Sequence, residues 1–138
     1  MPDPLTIITA VVGLIVTSAQ IASTAKQLYD SVKDAPASIR RMGEEMEQLY
    51  LIFGQVQMLL EGQNIRSNMS PLHHLMAILS GCVLAYSRLD KKLSEVAGTG
   101  LGARLRWALW KEVEAREILV ELERHKSSLH MVLAAVQW

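Results

Sequence analysis

A chain of 138 residues that is 50% apolar but only 5% aromatic has material for one core, built from Leu, Val, Ile, Met and Ala. That is the mix of helices rather than of β-sandwiches. Fourteen basic residues balance fourteen acidic ones, which leaves no overall field to draw nucleic acid. The single cysteine, Cys82, excludes an internal disulfide, fits a reducing compartment and reads as a small buried apolar residue.

The N-terminus opens on Met1-Pro2-Asp3-Pro4, acidic and without the Lys or Arg of a signal-peptide n-region. Asp3 followed by Pro4 supplies a side-chain cap and a fixed φ, so the first helix is predicted to begin near Pro4. From Pro4 to Ala25 no residue is charged, a stretch near the roughly 20 residues that cross a bilayer core. The polar segment 26–34 continues it as a solvated end.

Along this helix Leu5, Ile8, Val12, Ile15, Ala19 and Ala22 form one apolar stripe. Thr6, Thr9, Gly13, Thr17, Gln20 and Thr24 form a small, weakly polar one. Ile7, Val11, Leu14, Val16 and Ile21 lie between them, so apolar surface goes almost all the way round. Such a helix is central in a bundle, inserted in lipid, or able to exchange between the two. Thr9, Gly13 and Thr17, at four-residue spacing, suit close helix approach in a membrane and serve a tight soluble bundle equally well.

A second helix is predicted from about Pro36 to Glu61, entered through Asp34-Ala-Pro36 and stopped by Gly62 and Asn64. Its core face is Ile39, Met42, Met46, Leu49, Phe53, Val56 and Leu60, recurring at steps of three and four. A third opens at Ser70-Pro71 with Leu72, Leu75, Leu79, Cys82, Tyr86, Leu89, Leu93 and Val96 on one face, and Gly98-Thr-Gly-Leu-Gly102 ends it. A fourth continues to the end of the chain, with Leu105 and Leu109 in its first half and Leu119, Leu122, Leu129, Leu133 and Val136 in its second. Its stripe slips phase around Val113 to Arg116, which predicts a bend or a change of packing partner. Short connections make consecutive helices antiparallel neighbours, so the fold class is all-α, an up-down-up-down four-helix bundle over residues 1–138.

An enzyme needs convergent nucleophile, base or metal ligands, and the sequence offers none. His73 and His74 point different ways on a helix, and His125 and His130 are five apart rather than the three or four of a two-ligand site. The Gly98–Gly102 segment lacks both a preceding strand and the phosphate-loop lysine. No catalytic residue, metal or cofactor is expected.

Charge is unevenly placed. Residues 66–111 carry Arg66, Arg88, Lys91, Lys92, Arg104, Arg106 and Lys111 against only Asp90 and Glu95. Most of these bases, with Lys33, Arg40 and Arg41, gather at the bundle end that holds the turns after Asp34 and Gly98. Trp107 and Trp110 lie among them, a composition suited to a lipid headgroup interface, with Lys91, Lys92, Arg104, Arg106 and Lys111 as the contacting bases. The competing reading has at least one of these tryptophans in the core and the bases solvated.

Taken in order, Met1-Pro-Asp-Pro-Leu-Thr before an apolar helix, Tyr29-Asp-Ser-Val-Lys-Asp-Ala-Pro36, Cys82-Val-Leu-Ala-Tyr-Ser-Arg-Leu89, Arg106-Trp-Ala-Leu-Trp-Lys111 and His125-Lys-Ser-Ser-Leu129 resemble the fungal HeLo-like domain over nearly the whole chain. That is the N-terminal domain of many fungal NOD-like (STAND) receptors and related cell-death effectors. The resemblance implies a cytoplasmic helical domain that self-associates when an upstream receptor or amyloid-signalling partner clusters it. It then permeabilises the plasma membrane, and the bases beside Trp107 and Trp110 make anionic lipids the expected contact. Carried onto this chain, Leu5 to Ile21 is the expected inserting element. The alternative is a non-lytic oligomerisation or adaptor module that never touches lipid.

Overall fold

The computed structural model describes residues 4–31, 35–62, 69–97 and 110–137. They form four helices: α1 (Pro4–Ser31), α2 (Ala37–Gly62), α3 (Met69–Ala97) and α4 (Glu112–Gln137). Pro4 opens α1 as expected, because its missing N–H is one that a first helical turn leaves unpaired anyway. At α2 the first backbone bond, from Ile39 N to Pro36 O at 3.1 Å, closes the entry turn.

The three- and four-residue spacing of α2 translates directly into burial, since all seven residues of its predicted stripe are in the core. In α3, Leu75, Leu79, Cys82, Tyr86, Leu89, Leu93 and Val96 are buried likewise, joined by Ile78 and Ala85. In α4, Leu119, Leu122, Leu129 and Leu133 are buried as predicted, with Ala115, Ile118 and Val132 beside them. The predicted caps at Asp3 and Asp34, the Gly98–Gly102 stop, and Leu105 and Leu109 lie outside the described residues.

One predicted element is corrected. The last helix does not run unbroken through residue 111, because Trp110 sits in a turn and Lys111 adopts a left-handed φ of 50°. That conformation cannot continue a right-handed ladder. The ladder restarts with Ala115 N bonding Lys111 O at 3.1 Å, and Glu112 and Glu114 occupy the first turn, where carboxylates complement the helix dipole. The phase slip around Val113 to Arg116 is therefore the beginning of a helix rather than a bend within one.

Helix directions alternate, as expected. In α1·α2, Gly43 faces Ala22 and Ala25, an antiparallel register. In α3·α4, Arg88 pairs with Glu121 and Lys92 with Glu114. Around the bundle, however, consecutive helices are not all neighbours. The two hairpins α1·α2 and α3·α4 meet so that α1 lies on α3 and α2 on α4, each a parallel pair. Ser38 bonding Glu112 and Glu45 pairing with Lys126 fix the α2·α4 register. The consecutive pair α2 and α3 instead lie diagonally, touching where the Phe53 and Tyr86 rings meet edge-on at 6.4 Å and 76°.

Candidate membrane-active helix

The apolar α1 occupies a corner of the bundle, packed on α2 and α3. Its buried face is Ile7, Val11, Leu14, Ser18, Ile21, Ala22, Ala25 and Leu28. Apart from Ala22, this is neither stripe read from the sequence but the line of residues between them, because the bulky Ile, Val and Leu there fill the core. Leu5, Val12 and Val16 point outward at 68, 40 and 51% exposure, while Ile8 and Ile15 are half-buried at the flanks. By length and composition Leu5–Asp30 could cross a membrane, yet only 33% of its most apolar window is buried.

Two features fasten α1. Its C-terminal half lies close on α2 at Gly43, where a Cβ would stand 3.5 Å from that of Ala25. Its middle carries a buried hydrogen bond of 2.7 Å between Ser18 Oγ and Tyr86 Oη on α3. Burial raises the Tyr86 pKa well above the ordinary phenol value, with Ser18 acting in the opposite sense, so the hydroxyl stays neutral.

Three other hydroxyls of α1 turn inward on the helix itself. Thr9, Thr17 and Thr24 donate to the carbonyls of Leu5, Gly13 and Gln20 at 3.0, 2.9 and 3.0 Å. A threonine bonded this way makes no demand on water, so it is tolerable in hydrocarbon. Gly13 has no heavy atom within 4 Å of its missing Cβ, so no helix of the bundle packs closely against it.

The expected headgroup cluster is divided. Trp110 is 1% exposed and its indole N–H donates to Ser38 Oγ at 2.8 Å, which in turn donates to Glu112 at 3.0 Å. Lys92 is buried too, with its ammonium 3.2 Å from Glu114 and 5.5 Å from the centroid of the Trp110 ring. Neither reaches a headgroup in this fold: together they bolt α4 to α2 and α3. Lys91 and Lys111 are exposed, whereas Arg104, Arg106 and Trp107 lie outside the described residues.

No convergent chemistry appears elsewhere among the described residues. Among the described residues no group of three His, Cys, Asp or Glu could hold a metal. His73, His74 and His130 are exposed, and His125 packs its ring against Gly81. The Cys82 thiol is pushed up to about 12 by burial, which makes it inert. A groove of about 650 Å³ between α2 and α4 is lined by Arg41, Arg116 and Arg124 with Glu44, Glu45 and Glu123. Its carboxylates are taken: Glu44 by Arg40 at 3.1 Å, Glu45 and Glu123 by Lys126 at 2.9 and 3.3 Å. Burial raises the Glu45 pKa, while Glu123, hydrogen-bonded by Glu45 and by Lys126, is lowered.

No family model, curated protein or solved structure matches the chain. The fold and this helix define a class only: an all-α four-helix bundle whose N-terminal helix is apolar beyond what its buried face uses.

Proposed function

We propose that this chain is a membrane-permeabilising execution domain of the cell-death type. It rests in the cytoplasm as a closed bundle and, once clustered by an upstream receptor or amyloid-signalling partner, moves α1 into the plasma membrane. One observation carries the reading: the outward line of α1 is apolar and uncharged although the bundle uses only the opposite face. The sequence resemblance to HeLo-like domains supports the same reading. Clustering raises the local concentration of such helices, and the small line Thr9, Gly13 and Thr17 suits their packing together in lipid.

The experiment is dye release from liposomes by the Val12→Asp, Val16→Asp variant. Both side chains are exposed, so the bundle keeps its helicity, and leakage is expected to vanish. Undiminished leakage from the folded variant overturns the proposal. A second reading, a non-lytic adaptor or oligomerisation module, is favoured by the burial of Ile7, Val11, Leu14 and Ile21, which gives α1 an ordinary structural role. Self-association unaffected by lipid, with vesicles staying sealed, would establish it.

A further inference from the structure

Most of the outer apolar side chains of α1 are uncovered before the helix goes anywhere. Leu5, Val12, Val16 and Ala19 are exposed in one line about 21 Å long at 1.5 Å per residue. Both neighbours widen it. Exposed Tyr50 of α2 shares a shallow cleft with Ala19 and Ser23, and exposed Val83 of α3 shares one with Ala10 and Gly13.

We infer that this face of the closed bundle is itself a docking surface for a zwitterionic bilayer, so that the domain lies on the membrane through α1 before α1 leaves its place. The inference rests on the membrane reading above and adds to it the lipid class and the order of events. A protein partner is recognised by directional polar groups around an apolar centre. Here Thr9, Thr17 and Thr24, three of the four threonines of α1, spend their hydroxyls on their own backbone. The fluid acyl region just beneath the headgroups asks for no such groups, as the apolar faces of helices lying in a bilayer interface illustrate.

The lipid class follows from charge. The first charged residue of α1 is Lys26, and the surface around it holds Lys26 and Arg40 against Asp30, Glu44 and Glu47. Asp90 borders the α3 side. Arg40 is engaged by Glu44 and Tyr29. Among the described residues no positive excess faces the bilayer here, so anionic lipid adds no attraction from them and salt has little to screen.

The test separates docking from insertion with a crosslink. In a Cys82→Ala background, Ala25→Cys with Gly43→Cys places two thiols on Cβ positions 3.5 Å apart, within disulfide range, and oxidation holds the C-terminal half of α1 on α2. Oxidised and reduced protein are expected to float equally with phosphatidylcholine vesicles, to be unaffected by added salt or phosphatidylserine, and to differ only in dye release. In the oxidised protein, Val12→Gln with Val16→Gln is expected to weaken vesicle binding about tenfold. Binding by the reduced form alone overturns docking but leaves insertion standing. A requirement for phosphatidylserine that salt abolishes likewise overturns it while the membrane reading survives. A lipid-independent dimer that hides Val12 and Val16 overturns it in favour of a second copy as occupant. Failure of both forms to bind any vesicle overturns docking and the membrane reading together.

Discussion

The hydrogen bond between Ser18 and Tyr86 predicts an asymmetric mutant cycle. Both residues are buried, at 0 and 2% exposure, and their hydroxyls are 2.7 Å apart. Ser18→Ala leaves the Tyr86 hydroxyl in the core without its partner, at a cost of about 1–3 kcal/mol for an unmet buried polar group. Tyr86→Phe is gentler. The freed Ser18 hydroxyl lies four residues beyond Leu14 and can turn to that carbonyl, as Thr9, Thr17 and Thr24 already do to theirs. Its loss is the net value of one neutral hydrogen bond, about 1 kcal/mol.

Adding Tyr86→Phe to Ser18→Ala removes the stranded hydroxyl, so the second substitution is expected to stabilise the first variant by about 1 kcal/mol. Urea unfolding followed by helical circular dichroism, with tryptophan fluorescence as a second probe, measures all four corners. Additive losses, or a Tyr86→Phe loss larger than that of Ser18→Ala, would refute the assignment of the bond as a tie holding α1 to α3. Because the bond links α1 to the rest of the bundle, Ser18→Ala is also expected to hasten dye release if α1 is the element that leaves.

Substitutions at Gly81, Lys111 and Glu114 test the packing of α3 and α4. Gly81→Ala places a Cβ 2.6 Å from His125 Cε1, so it is expected to destabilise by about 1 kcal/mol in the native chain. In a His125→Ala background the same change is expected to stabilise by about 1 kcal/mol through helix propensity alone, read in parallel urea titrations. Lys111→Gly is expected to raise stability by about 0.5–1 kcal/mol, since glycine adopts the φ of 50° without a Cβ penalty, whereas Lys111→Ala should gain nothing. Glu114, hydrogen-bonded by Lys92, is held below the usual carboxylate pKa. Its contribution is therefore present above the unfolded carboxylate value and lost as pH falls through the folded one. Thermal melts from pH 7 to about pH 2 should show a shallower acid decline for Glu114→Gln than for the native chain.

What could be read from the sequence was whatever two-sided composition marks. In α2 the alternation of Met42, Met46 and Leu49 with Arg41, Glu44 and Glu47 leaves one possible inner face, and the core takes it. The same contrast revealed α3 from Leu75 to Val96. For α1 the contrast is missing, because Leu5, Ile7, Ile8, Val11 and Val12 are equivalent by hydropathy, and periodicity cannot choose among faces that are all apolar. The orienting signal was Ser18, the one hydroxyl of α1 that sits within the line of large apolar residues, yet its partner lies 68 positions away on α3. Trp110 and Lys92 were misleading for a similar reason. A tryptophan among bases has the composition of an interface, and only the distant Ser38 and Glu114 turn that cluster inward.

Single exposed apolar side chains are ordinary, and every helix here has some: Leu51 and Met58 on α2, Leu84 on α3, Val113, Val120 and Met131 on α4. On those three helices charge interrupts them. Glu44, Glu47 and Glu61 border the α2 pair, Arg88 and Lys91 follow Leu84, and Arg116, Glu117, Glu123 and Arg124 separate the α4 residues. Water can therefore hydrate each apolar side chain from a charged neighbour outward, and no continuous dry surface forms. Along α1 no charge interrupts the line from Leu5 to Ala19. The distinguishing property of this helix is thus continuity rather than the exposure of any one residue. That is why a single charge at Val12 or Val16 should change its behaviour towards a membrane far more than the same charge at Leu51 or Val120.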